Sequence, residues 1–255
     1  MEYFPKTMKI LELKNRRDDE LTGLLKDLTA MDSSWYMRHM LLYTEDVPSL
    51  EEVLQGKKLV VIQKTPGQIV SQQQWSFFGT YVFICSFMNF SFVQQLSQDE
   101  KIKLFRYSTI KTGFLAAAMR TVRNKKERIM TPDDKEVYPE VLIQMLNIDP
   151  MSLRRICNLL VCRLQELEVS TDEFLLLRTI FFCNPAVPSI SEGAQSILSD
   201  HQKTYTSALF QLCQMKYKHT APARLADLMS LTMCTTWIQV QPVNHWHFSA
   251  VQQLR

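Results

Sequence analysis

Apolar positions three and four apart recur along the chain. Leu21, Leu24, Leu25 and Leu28 share one face of residues 18 to 31, and Asp18, Asp19 and Glu20 stand at the start, where the helix dipole favours acids. Residues 152 to 168 repeat the pattern with Leu153, Ile156, Leu160, Leu164 and Leu167. Both segments are expected to be amphipathic helices. Ser-x-x-Glu steps stand ahead of apolar segments at Ser49 with Glu52, Ser97 with Glu100, and Ser170 with Glu173. In such a box the hydroxyl accepts the third residue's N–H, and the carboxylate accepts the serine's own N–H. Each marks a helix start, and Gly56 suits the end of the first. Residues 35 to 43 are an apolar patch without a clear period, and residues 57 to 64 read as a strand.

Residues 68 to 93 are the most apolar part. From Trp75 to Val93 there are 19 residues without a charge. Two readings stand: a helix buried on all sides in a protein core, or a membrane span. Interspersed Ser76, Thr80, Ser86, Asn89 and Ser91, and the lack of a leucine-rich block, favour the core. Residues 94 to 98 then form a corner, with Leu96 stapling back onto Leu104, and a second apolar helix runs from 99 to 122. Thr131-Pro132-Asp133-Asp134 suits the turn of a small hairpin within 127 to 139. Further helices are expected at 174 to 182, stopped by Asn184-Pro185, at 191 to 218, and from Pro222 to Trp237. Helices without a polar face need a layer on each side. The expected fold is all-α, a three-layer antiparallel α-helical sandwich with a small β-hairpin. Its domain spans 18 to 238, between a hinge-like tail at 1 to 17 and an atypical tail at 239 to 255.

Composition narrows the function. The chain has 255 residues, 46% hydrophobic, with 6 glycines and a formal net charge of +3. That charge does not itself call for nucleic acid. The six cysteines include no C-x-x-C pair and read as reduced thiols. His245-Trp246-His247 lacks cysteine or acidic neighbours, so no metal is assigned to it. The absence of a phosphate loop, an H-E-x-x-H motif or a nucleophile elbow argues against an enzyme, and no cofactor is expected.

Phe92, Val93, Leu96, Glu100-Lys101 and Leu104-Phe105 resemble the signature of nuclear hormone receptor ligand-binding domains, in the nematode, hepatocyte-nuclear-factor-4-like style. Residues 173 to 180, Asn184-Pro185, Tyr205, Ala208-Leu209 and residues 224 to 229 resemble later parts of that domain. The resemblance implies a transcription regulator in the nucleus or cytoplasm that binds a small lipophilic, fatty-acid-like molecule. Arg120 matches a family arginine that holds the ligand's polar end; the alternative is a solvated arginine in a basic last turn. Trp75, Ser76, Gly79, Phe83, Phe114 and Met119 are the other implied pocket residues, though residues of these types are more often plain core. Residues 191 to 237 are implied to form homo- or heterodimers with another receptor.

Departures carry expectations too. The implied co-activator groove falls at Met88, Val93, Lys101 and Arg106. Met88 stands where the family has a lysine clamp, and no glutamate follows Asp227 to serve as the second clamp. Impaired activation-helix function and weak recruitment of L-x-x-L-L co-regulator proteins follow. DNA contact would need a zinc module of two four-cysteine clusters, which this sequence lacks. The remaining alternatives are a ligand-independent helical interaction and dimerisation module, and a single-span membrane protein.

Overall fold

The computed structural model of the protein describes residues 4–46, 48–130 and 149–236, with side chains from residue 18 onward except at 72, 73, 110, 153, 154, 156, 157, 235 and 236. Helix α1 runs Phe4–Leu41, well beyond the expected 18 to 31 at both ends. Its buried stripe continues as Leu21, Leu28, Asp32, Trp35 and His39. Two members of that stripe, Asp32 and His39, are polar, which hides the helical period beyond residue 31 from a hydrophobicity pattern. Strand β1 (Leu42–Tyr43) pairs antiparallel with β2 (Ile62–Gln63), so the strand expected over 57 to 64 shortens to two residues. Between them lies α2 (Leu50–Leu54), started by the Ser49–Glu52 box and followed by Gly56 at φ +89°, a left-handed conformation that glycine adopts freely.

The apolar run is not one helix. Helix α3 (Gln72–Phe87) ends at Met88, and after a turn the short α4 (Ser91–Gln94) begins at Phe90. The start of α3 is a Ser71–Gln74 capping box, which a search for glutamate alone passes over. Thr80, Tyr81, Cys85 and Ser86 are half-buried, so α3 is not enclosed on all sides. At 16 residues it falls short of the about 20 needed to cross a bilayer, and no described helix is long and apolar enough to span a membrane.

Helix α5 (Gln98–Arg123) starts at the expected Ser97–Glu100 box. Glu100 serves a second helix as well: its other oxygen accepts from the Ser191 hydroxyl, whose own oxygen caps Ala194 N at 3.2 Å. Helix α6 (Pro150–Glu166) begins at Asp149, which accepts from Met151 N and Ser152 N, with Pro150 in the first turn. Helix α7 (Thr171–Phe182) is the hidden one: every residue from Glu173 through Phe182 is buried. Helix α8 (Glu192–Tyr217) ends at Lys218, φ +52°, and a short 3-10 turn leads to α9 (Ala221–Thr236).

Packing gives three layers. α1 and α3 pair on one side, α5, α7 and α8 fill the middle, and α6 and α9 close the other side. The layers are pinned by ion pairs. Asp32 of α1 accepts from Arg178 of α7 at 2.7 Å and from Arg123 of α5 at 3.3 Å. Glu173 of α7 takes Arg224 of α9 through two parallel bonds, 2.8 and 2.9 Å. Burial pushes the Arg178 pKa down, and Asp32 opposes that shift. Glu173 is pushed up by burial, yet the Arg224 bond and the Ser170 cap hold it below the usual carboxylate range. The hairpin expected within 127 to 139 and the tail from 239 fall largely or wholly outside the described residues. Among those described, Met130 is a β-bridge residue, and a two-stranded antiparallel sheet lies at β1–β2.

Candidate functional site

The expected pocket residues come from two neighbouring helices, α3 and α5. Trp75 lies near the start of α3, 5 % exposed, and Arg120 near the end of α5, 7 % exposed. The Arg120 guanidinium carbon is 5.5 Å from the Trp75 ring centroid, and its Nη2 donates to the Met130 carbonyl at 3.2 Å. The solvated reading of Arg120 is thereby set aside. Among the described residues it meets no carboxylate. Burial draws its pKa down, with the Tyr36 hydroxyl of α1 opposing. Ser76, next to Trp75, has a buried hydroxyl oxygen without a hydrogen-bond partner among the described residues. A buried polar group left unmatched costs about 1–3 kcal/mol, more for a charge.

His39 of α1 enters this site unannounced by the sequence. Its ring stacks on Trp75 at 3.7 Å, its Nε2 lies 3.0 Å from the Trp75 carbonyl, and Trp35 tilts against it at 5.4 Å. A β-carbon on Gly79 would come within 2.7 Å of the imidazole, so the bare side of that glycine is a notch filled by His39. Burial, with Arg120 adding to it, holds the His39 pKa down to about 3. The ring is therefore neutral at neutral pH, and Nε2–H is the donor to the carbonyl. Lys64 completes the surround: its Nζ sits 4.5 Å over the Trp75 ring and donates to the carbonyls of His39 and Met40.

The other candidates divide. Phe114 and Met119 are buried on α5. Phe83 turns toward α7, with ring centroids 4.3 Å from Phe87 and 6.0 Å from Phe182, and packs as core. At the expected groove, Met88 caps the end of α3 and its carbonyl accepts from Gln94. Val93 is fully buried, Lys101 is half-buried, and Arg106 is exposed. Arg106 is paired with Glu51 of α2.

The comparisons agree with this architecture. The ligand-binding domain of nuclear hormone receptor, as a family pattern, matches residues 72–240. Nuclear hormone receptor family member nhr-51 of Caenorhabditis elegans is 34% identical over 233 residues, which cover 91% of this chain and 62% of that protein. Family member nhr-52 of the same organism is 31% identical over 91% of this chain and 69% of its own length. Family member nhr-268 is 30% identical over 89% and 67%. The chain thus spans roughly two thirds of these relatives. With α3 through α9 inside the matched region, the chain belongs to the nuclear hormone receptor ligand-binding domain family.

Proposed function

We propose that this chain is the ligand-binding part of a nuclear transcription regulator, and that it takes a small lipophilic molecule with an anionic end, such as a fatty acid. The observation that carries this is Arg120: a buried guanidinium beside Trp75, one carbonyl bond, and no carboxylate among the described residues. A buried cation of this kind calls for an anion, and a carboxylate matches a guanidinium fork in charge and geometry. The unpartnered Ser76 hydroxyl offers a second polar contact. Dimerisation with another receptor through 191 to 237, co-regulator binding on the α3–α5 surface, and DNA contact through a separate zinc module complete the proposal.

The test is mass spectrometry of lipids retained by the purified protein. Wild type is expected to carry fatty-acid-like anions, and Arg120→Ala to lose them while keeping its fold by circular dichroism. Equal lipid in both would end the anchor role. A ligand-independent dimerisation module is the second reading, favoured by the His39 ring that fills the notch at Gly79. It predicts no retained lipid in either protein and an unchanged dimer.

A further inference from the structure

The end of α5 is closed in an uncommon way. Lys125 N donates to the Val122 carbonyl and Lys126 N to the Thr121 carbonyl, both at 3.0 Å. These are the paired bonds of a helix end turned by a left-handed residue, usually glycine. Here that residue is Lys125, at φ +53°, where a β-carbon is penalised. Every residue from Asn124 to Arg128 is exposed. The segment is anchored on both sides. Arg123 holds Asp32 at 3.3 Å and lies 5.2 Å over the Phe174 ring, while Ile129 is fully buried. Between the anchors, Lys125, Lys126, Glu127 and Arg128 read Lys-Lys-x-Arg. Short basic runs serve nuclear import or contact with nucleic acid.

Nucleic acid is the poorer fit. It calls for a broad face that neutralises several phosphates, and Glu127 opposes a phosphate in the midst of these cations. A groove that reads a basic peptide one side chain at a time needs no such face. Acidic pockets take the charges, and tryptophan rings take the cations and their alkyl stems. We propose that residues 124 to 128 are a docking segment for a nuclear-import adaptor, whose acidic, tryptophan-lined groove holds Lys125, Lys126 and Arg128 in extended form. Extending the segment opens two capping bonds at the surface and returns Lys125 to the φ range that L residues prefer. Strain stored at Lys125 thus favours the bound form. The proposal rests on the nuclear reading above for the direction of transport, and needs neither Arg120 nor a ligand.

The experiment titrates the fluorescently labelled full chain with a purified import adaptor of the importin-α type, its own basic inhibitory segment removed. Anisotropy is read at physiological salt. Wild type should bind saturably. Lys125→Gly should lose at least about tenfold in affinity while its thermal midpoint rises, because glycine suits the left-handed turn. A residue that only closes the helix would not move these two readouts in opposite directions. Lys126→Ala/Arg128→Ala should lose as much, and Glu127→Gln should bind like wild type. No saturable binding by wild type, or equal binding by Lys125→Gly, overturns the proposal. A short DNA duplex in place of the adaptor is the second arm. Duplex binding that Glu127→Gln strengthens, without adaptor binding, overturns the proposal in favour of a nucleic-acid contact. Lipid retained by a wild type that binds no adaptor ends this proposal and leaves the proposed function standing. Adaptor binding by a protein that retains no lipid does the reverse.

Discussion

The imidazole of His39 occupies the space where Gly79 lacks a β-carbon, at a contact of 2.7 Å if one were added. This joins α1 to α3 more closely than side chain on side chain could. The ring's edge is rigid, and its far side is held by Trp35 and Trp75. Gly79→Ala should therefore destabilise the fold by about 1–3 kcal/mol through overpacking. In urea titrations His39→Ala should cost stability alone, yet the double variant should be less destabilised than the sum of the two. Additive losses would contradict the interlock.

The same histidine predicts a pH slope. Its folded pKa is down to about 3, against about 6.5 for a free histidine. Between those values the unfolded chain binds a proton that the folded one refuses. Stability from this group is complete above about pH 6.5 and is lost as pH falls toward 3, at up to about 1.4 kcal/mol per pH unit. His39→Gln should flatten the acid limb by that one proton, measured as chemical stability at pH 4 to 7.

Glu173 and Arg224 form the best-satisfied charge pair joining α7 to α9, since Arg224 also donates to the Leu167 carbonyl at 2.6 Å. Breaking a buried pair by removing one partner costs about 3–5 kcal/mol. In wild type the depressed Glu173 pKa gives stability above the free carboxylate value, lost on acidification. Arg224→Met leaves the carboxylate buried and unmatched, so its trend should reverse, with stability gained as pH falls and the acid protonates. Unfolding curves of both proteins from about pH 2.5 to 7, spanning both sides of the free carboxylate value, decide this.

Lys111 of α5 is 8 % exposed, its ammonium lies 4.5 Å over the Tyr107 ring, and burial lowers its pKa to about 8. The folded state thus pays for a charged amine at neutral pH. Lys111→Met should raise the thermal midpoint at pH 7, and the gain should shrink as pH rises through 8 toward 10.5, where wild type folds with a neutral amine. A lower midpoint would show that the cation–π contact outweighs desolvation.

How much of this was written in the sequence depends on what carries the signal. Helix starts were legible because a capping box is local: Ser49, Ser97 and Ser170 each begin the helix expected of them. The α3–α4 break was not, because no proline or charge marks it; the chain turns after Met88 within a run that is apolar on both sides. The extension of α1 was hidden by Asp32 and His39, polar residues that are buried only because Arg178 and Trp75 meet them from distant segments. For the site, Arg120 and Trp75 are both among the pocket residues that the resemblance implies, but their contact is visible only in the structure. His39 is not among them, since its role exists only against the notch at Gly79. Arg178 was visible as a charge inside an apolar helix, but its partner Asp32 lies 146 residues away.

The carboxylate of Glu100 ends up holding two helix beginnings at once, its own and, through Ser191, that of a segment 91 residues further on. Fraying at either N-terminus must then loosen the other. A ligand or partner that tightens the corner at Ser97 would be felt along α8, which lies wholly within the region expected to meet a second receptor.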